Sequence, residues 1–133
     1  SRLLSMNFTG TILLVDDEPH IRKYVALILK QLGRPVVFEA GNGEEAIAVF
    51  QRENPDLVLL DVNMPILDGI QTLKKLKEID PACVVIMLTS VANRQTIDEA
   101  IEHGAANYIR KDTPKDEIAK AVSDTIDACF DLD

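Results

Sequence analysis

Residues 57–61 have the sequence LVLLD, in which four consecutive apolar residues run directly into a single carboxylate. Two other stretches have the same form, TILLVDD at 11–17 and VVIMLTS at 84–90, and both also end in polar side chains. Strands with one solvated face usually alternate apolar and polar residues. Continuous apolar runs instead predict strands buried on both faces, as in a parallel sheet with helices on each side.

Two weaker runs, VVF at 36–38 and NYI at 107–109, complete a set of five, and a stretch of helical periodicity follows each run. Five strand–helix units are too few for a closed barrel of eight strands, which takes roughly 250 residues. We therefore predict one α/β domain over residues 10–133, a (βα)5 doubly wound sheet of five parallel strands. Residues 1–9 are interpreted as an N-terminal tail or a remnant of expression.

Capping residues and apolar periodicity predict the helix boundaries and faces. Asp17 is a candidate cap for the first helix. Thr113 is the expected N-cap of the last helix, with Pro114 as its first helical residue. The inner faces of the third and fourth helices are expected to include Ile79 and Ile101.

The composition argues against several classes of function. Fourteen Lys and Arg residues against 22 Asp and Glu residues give a net charge of −8. A negative field of this size works against binding to nucleic acid and to anionic membranes. No apolar run approaches the ~20 residues that span a bilayer, and no secretory signal is visible. Cys83 and Cys129 form no ligand pattern, so we expect reduced thiols and a cytoplasmic protein.

Function in an open α/β sheet collects at the carboxyl ends of the strands. Here the first strand ends in Asp16 and Asp17, the third in Asp61, the fourth in Thr89 and the fifth in Lys111. If the first and third strands are neighbours, three carboxylates share one cavity, and such a cluster usually holds a divalent cation or raises a pKa. Mg²⁺ prefers oxygen ligands of this kind. A carboxylate nucleophile, Mg²⁺ and a lysine together suit phosphoryl transfer.

Four motifs in order point to one family: LVDDE at 14–18, DVNMPILDG at 61–69, LTS at 88–90 and YIRK at 108–111. With these motifs, the chain from about residue 10 to 130 resembles the receiver domain of two-component response regulators, the family of the chemotaxis protein CheY. The resemblance implies a flavodoxin-like sheet with strand order 2-1-3-4-5. It also implies a signalling domain that catalyses only its own phosphorylation and dephosphorylation, rather than an enzyme.

The resemblance implies a role for each residue of the acidic motifs. Asp61 is the phosphoacceptor, and Lys111 contacts its carboxylate and then the phosphoryl oxygens. Mg²⁺ is the cofactor, with Mn²⁺ as a substitute. Asp17 binds the metal directly and Asp16 mainly through water, while Asp61 and the backbone carbonyl of Asn63 complete the protein ligands. The phosphoryl donor is a histidine kinase or a phosphotransfer protein.

Two further residues form the switch that the resemblance implies. Thr89 turns inward to the phosphoryl group, and Tyr108 moves into the space that Thr89 leaves. The surface of the fourth helix, fifth strand and fifth helix then changes and acts on a downstream protein or an output domain. A simpler interpretation is that Tyr108 only packs, with its hydroxyl in water. Phosphorylation-dependent formation of a homodimer stays open.

The sequence departs from the family pattern after the lysine. Asp112 follows Lys111 where relatives commonly have a proline joined by a cis peptide bond. Val91 is apolar where some relatives are polar, and together with Asn63 it flanks the path of an attacking water. The lifetime of a phosphoryl group on this chain is therefore open.

Other functions also remain open at this point. The chain is either an independent protein or a receiver from a larger multidomain regulator or hybrid kinase. A phosphorylation-independent interaction module is a second alternative, although such modules often lose a pocket acid or the lysine. A Mg²⁺-dependent phosphohydrolase usually carries a second Asp where this chain has Asn63. No glycine-rich loop follows the first strand, which disfavours a flavin or nucleotide site.

Overall fold

The structure is a computed structural model that describes residues 7–130. A single sheet of parallel strands runs through it, in the order β2-β1-β3-β4-β5. The strands are β1 (Thr11–Val15), β2 (Val36–Ala40), β3 (Leu57–Leu60), β4 (Val84–Thr89) and β5 (Asn107–Arg110). The predicted doubly wound fold and its strand order are confirmed.

Helices cover both faces of this sheet. They are α1 (Pro19–Leu29), α2 (Gly43–Glu53), α3 (Gly69–Ile79), α4 (Arg94–Glu102) and α5 (Lys115–Cys129). Buried residues of α2, α3 and α4 share one hydrophobic cluster, and those of α1 and α5 share a second cluster. Within residues 7–130, none of the helices combines the length and apolar content needed to cross a membrane.

The two clusters explain why the strands are apolar at every position. Along β1, Leu13 and Val15 belong to the cluster of α2, α3 and α4, whereas Ile12 and Leu14 belong to the cluster of α1 and α5. Successive side chains of a strand point to opposite faces, so a sheet covered on both sides needs apolar residues throughout. Each fully buried side chain of this size contributes about 1.5–3 kcal/mol.

The ends of the chain lie partly outside the described residues. Of the predicted N-terminal tail, residues 1–6 are not described, and neither are residues 131–133. Phe8, within the same predicted tail, is 5% exposed and joins the cluster of α1 and α5. Its N–H donates to the carbonyl of Leu32 at 2.7 Å, and its ring lies 6.4 Å from that of Phe130. Cys83 and Cys129 are free thiols.

Both predicted helix caps are wrong. The last helix, α5, begins at Lys115, and Pro114 holds the capping position because its ψ of 143° is extended while its carbonyl accepts bonds from amides of the first turn. Thr113 therefore lies one residue too early to be the cap. The first helix has Glu18 at its N-cap, with no side-chain hydrogen bond, so Asp17 does not cap it.

Two predicted inner-face residues are exposed instead. Ile101 is 52% exposed, because each helical residue turns by about 100° and the preceding Ala100 is the one that faces the core. Ile79, the last residue of α3, is 43% exposed.

The start of α3 lies against the end of β3, and a glycine permits that contact. The N–H of Gly69 donates to the carbonyl of Val62 at 2.8 Å, and a Cβ at Gly69 would lie 1.9 Å from the carbonyl oxygen of Asp61. Asp68 and Gln71 form a reciprocal capping box at the same place. Together these contacts pin the loop that begins at Asp61.

Replacing Gly69 with alanine is expected to lower the free energy of unfolding by about 2 kcal/mol, because the backbone of Asp61 must shift to admit the methyl group. Gly41→Ala is the matched control. Its added Cβ meets only Arg22 Nη1, at 3.6 Å, which is an ordinary contact. We expect a change within about 0.5 kcal/mol for that variant. Urea unfolding of the three proteins tests this, and equal losses in both variants contradict it.

Candidate functional site

The carboxyl ends of β1 and β3 meet near the centre of the sheet, where the direction of the strand order reverses. The N–H of Asp61 donates to the carbonyl of Val15 at 3.0 Å, so Asp16 and Asp61 leave the sheet side by side. On the other side of β3, the N–H of Lys111 donates to the carbonyl of Thr89 at 2.9 Å. Crevices at such reversal points are the usual ligand sites of open α/β sheets.

Lys111 joins the acidic side chains of this crevice. Its Nζ lies 2.6 Å from Asp16 Oδ2 and 3.1 Å from Asp61 Oδ2, and 3.9 Å from Glu18 Oε1. The side chains of Asp16 and Asp61 are each only 4% exposed, and that of Lys111 is 15% exposed. The other carboxylate oxygen of Asp61 accepts a hydrogen bond from the N–H of Val62 at 2.8 Å. Burial and short distances make this a tightly held charge cluster.

The environment shifts the proton affinities of both partners. Burial raises the pKa of Asp61 above its ordinary value, the Thr89 hydroxyl and the Lys111 ammonium lower it, and the charge of Asp16 raises it further. For Lys111, burial lowers the pKa, but the hydrogen bonds and charges of Asp16 and Asp61 outweigh burial and leave it raised. Lys111 therefore stays an ammonium at neutral pH, and ionised Asp61 is a costly, incompletely compensated carboxylate.

The turn after β1 collects carboxylate oxygens that suit a hard cation. Among the described residues, one oxygen from each of Asp16, Asp17 and Glu18 lies within 4.8 Å of the others. An all-oxygen donor set of this kind fits Mg²⁺, which keeps several of its waters. Glu18 was not among the predicted site residues. The motif Asp16-Asp17-Glu18 was visible in the sequence, but only the turn directs the third carboxylate toward the same space.

Thr89 and Tyr108 meet through the backbone of Val91. Thr89 is fully buried, and its Oγ1 accepts a hydrogen bond from the N–H of Val91 at 3.2 Å. The hydroxyl of the half-buried Tyr108 donates to the carbonyl of the same residue at 2.5 Å. This hydroxyl is bound rather than solvated, contrary to the simpler interpretation of Tyr108. Burial, and then the charge of Asp61, raise the pKa of Tyr108.

The last predicted site residue, Asn63, is exposed in the loop between β3 and α3. After Lys111 the chain continues through Asp112, whose carboxylate accepts two hydrogen bonds from the guanidinium of Arg110. No cis peptide bond occurs anywhere in residues 7–130, as expected for a chain without proline at position 112.

Comparison with known proteins assigns the family. The response regulator receiver domain model matches residues 12–123. The chemotaxis protein CheY of Bacillus subtilis is 36% identical over 115 residues, which cover 86% of this chain and 96% of that protein. CheY of Halobacterium salinarum is 37% identical over 117 residues, or 88% and 97% of the two chains. A chain in the crystal structure of the CheX–CheY–BeF₃–Mg²⁺ complex from Borrelia burgdorferi aligns with a TM-score of 0.86 at 26% identity, over 98% of this chain and 100% of that one.

The chain belongs to the response regulator receiver domain family, as a CheY-like receiver of two-component signalling. Domains of this family are signalling domains that bind Mg²⁺ at an acidic pocket and interact with histidine kinases and output partners.

The raised pKa of Asp61 predicts a pH-dependent stability in metal-free protein. Because the folded pKa of Asp61 is above the unfolded one, the contribution of Asp61 to stability is fully present below the ordinary value of 3.8 and is lost as the pH rises through the folded pKa. Asp61→Asn removes the loss of stability that ionisation of Asp61 causes. In this variant Lys111 still pairs with Asp16. We expect the variant to be more stable than the wild type at pH 7 by on the order of 1 kcal/mol.

Urea unfolding in EDTA between pH 4 and pH 8 measures this difference. The difference in the free energy of unfolding between Asp61→Asn and the wild type should become smaller as the pH falls. Asp124→Asn is the control, because Asp124 is exposed on α5 and its variant should follow the wild type at every pH. A wild type as stable as Asp61→Asn at pH 7 contradicts the prediction.

Proposed function

We propose that this chain accepts a phosphoryl group on Asp61 from a histidine kinase or a phosphotransfer protein, with Mg²⁺ or, as a substitute, Mn²⁺. The observation that carries the proposal is the Lys111 ammonium between the two buried carboxylates of Asp16 and Asp61. The phosphorylated chain then acts on a downstream protein or an output domain. We place it in the cytoplasm, where such donors present their phosphohistidine.

In the transfer step, a carboxylate oxygen of Asp61 attacks phosphorus. The new O–P bond forms as the N–P bond to the donor's imidazole breaks, and the imidazole takes up a proton from water. Lys111 stays beside the acceptor and offsets the negative charge of the transferring group, while the Val62 N–H orients the carboxylate. Mg²⁺ when bound supplies further positive charge for the phosphoryl oxygens.

The donor set for the metal follows from the acidic turn and the acceptor. Asp17 is assigned as a direct ligand, because it is exposed at the turn and free of the Lys111 contact. Asp16 already bonds Lys111 and the N–H of Glu18, which supports contact mainly through water. Asp61 and the backbone carbonyl of Asn63 complete the set.

The proposed switch consists of Thr89 and Tyr108. A phosphoryl group on Asp61 would draw the Thr89 hydroxyl, whose hydrogen bond to the Val91 N–H it would weaken. The carbonyl of the same Val91 accepts a hydrogen bond from the Tyr108 hydroxyl. Both side chains are therefore bonded to the loop between β4 and α4. The signal then reaches the surface of α4, β5 and α5, which we propose as the output surface and as the face of any phosphorylation-dependent homodimer.

The chain's relatives include both short and long proteins, so its signal could pass to a separate protein or to an output domain of the same chain. The two CheY proteins are covered almost fully, whereas the nitrate/nitrite response regulator NarL of Escherichia coli K12 is 35% identical over 114 residues that are only 53% of its length. A receiver within a larger regulator or hybrid kinase therefore remains the alternative architecture. In either case we propose that this domain itself binds no nucleic acid and no membrane, since its net charge is −8.

Intact mass after incubation with acetyl phosphate tests the acceptor. The wild type should gain one phosphoryl group when Mg²⁺ is present and none in EDTA. Asp61→Asn should gain none, because an amide oxygen is a far weaker nucleophile than a carboxylate. Asp124→Asn should be labelled like the wild type, because this carboxylate is exposed on α5.

Undiminished labelling of Asp61→Asn places the acceptor elsewhere. If the wild type is not labelled, a beryllofluoride titration decides between the two remaining readings. Binding that requires Mg²⁺ and Asp61 supports a receiver with a short-lived adduct, and absence of binding favours a phosphorylation-independent module.

The assignment of Asp17 predicts a loss of metal affinity in Asp17→Ala. Removal of a direct carboxylate ligand should weaken Mg²⁺ binding at least about tenfold, as measured by isothermal titration calorimetry. Asp98→Ala is the control, because it deletes an exposed carboxylate on α4 and equally lowers the negative charge. Equal Mg²⁺ affinity in Asp17→Ala and Asp98→Ala removes Asp17 from the site.

A further inference from the structure

Arg22, near the start of α1, contacts the backbone of the acidic turn formed by Asp16, Asp17 and Glu18. Its Nη1 donates to the backbone carbonyl of Asp16 at 2.5 Å, and its Nε donates to Glu39 Oε1 on β2 at 2.8 Å. The Arg22 side chain is only 18% exposed, so its bond to the Asp16 carbonyl is partly shielded from water, whereas the Glu39 side chain is 49% exposed. One guanidinium thus ties together α1, the end of β1 and the edge strand β2.

The carbonyl that Arg22 holds belongs to the peptide unit between Asp16 and Asp17. A peptide unit is planar, so fixing its oxygen also fixes the direction of the Asp17 N–H and of both flanking Cα atoms. The side chains of Asp16 and Asp17 start from those two atoms. The N–H of Asp16 donates to the carbonyl of Ala40, which anchors the other side of the same residue.

We propose that Arg22 is a positioning residue for the divalent-cation site, acting through the Asp16–Asp17 peptide. The inference rests on the proposed metal site at these two residues and adds a residue that contacts neither the metal nor the acceptor. Partners of this kind, one step behind the ligands, commonly change metal affinity by about 10–100-fold. The planar fork of arginine makes two bonds in fixed directions, which a lysine ammonium does not reproduce.

The charge of Arg22 alone predicts the opposite effect of its removal on Mg²⁺ affinity, so an experiment can distinguish the two roles. Arg22 carries a positive charge close to the turn, and a positive charge repels Mg²⁺. If Arg22 acted only as a charge, its removal would tighten Mg²⁺ binding, and Arg22→Lys would leave the affinity unchanged. If Arg22 positions the peptide, both Arg22→Gln and Arg22→Lys weaken the binding.

The experiment is calorimetric titration of the full chain with Mg²⁺. We expect the dissociation constant to rise about tenfold in Arg22→Gln and several-fold in Arg22→Lys. Lys23→Gln is the control, because it removes a neighbouring exposed cation without touching the Asp16 carbonyl. Its affinity for Mg²⁺ should be unchanged or slightly higher. Arg22→Lys keeps the charge and carries the test if Arg22→Gln does not fold.

A second readout needs no metal. In ¹H–¹⁵N spectra of the metal-free protein, the Asp17 amide should shift in Arg22→Lys more than in Lys23→Gln, because its N–H shares a peptide unit with the bonded carbonyl. A dissociation constant that is unchanged or lower in a folded Arg22 variant overturns the inference and leaves the metal site standing. A wild type that binds no Mg²⁺ overturns the proposed metal site and the inference together.

Discussion

The Lys111 ammonium, held between the carboxylates of Asp16 and Asp61, is the interaction on which the site depends. Two like charges about 4 Å apart cost about 4 kcal/mol at an effective dielectric near 20. One buried cation relieves this repulsion, and loss of that cation, which leaves two buried carboxylates uncompensated, typically costs about 3–5 kcal/mol. The lysine thus lets a crowded acidic pocket fold, while the exposed Asp17 and Glu18 leave negative charge for a second cation.

The sheet topology supplies this arrangement. Parallel pairing of β1 with β3, of β3 with β4 and of β4 with β5 brings the carboxyl ends of four strands to the same end of the sheet. Around these ends, three close contacts restrict the loops: Gly69 against the Asp61 carbonyl, Arg22 on the Asp16 carbonyl and Tyr108 on the Val91 carbonyl. All three act on backbone oxygens. The loops that follow β1, β3 and β4 are therefore held through their peptide groups, in addition to the contacts of their side chains.

Continuous apolar runs predicted the buried strands, because a strand covered on both faces needs apolar residues at every position. The strand order that the family resemblance implies is also confirmed. The errors lie where several residues satisfy the same local rule. Thr113 and Pro114 could each begin the last helix, and the backbone of Pro114 made the choice. Ile101 has the right periodicity for an inner face, but Ala100 occupies that face.

The fold class and a candidate set of site residues could be predicted from residue type and order, because continuous apolar runs mark buried strands and polar or charged residues follow four of them. Which polar groups contact one another depends on the tertiary fold. Glu18 and Arg22 entered the description of the site through a turn and a backbone carbonyl. Tyr108 met its partner in the same way, at the carbonyl of Val91. Every residue carries a carbonyl, so no pattern of side chains marks the one that a distant guanidinium or hydroxyl will reach.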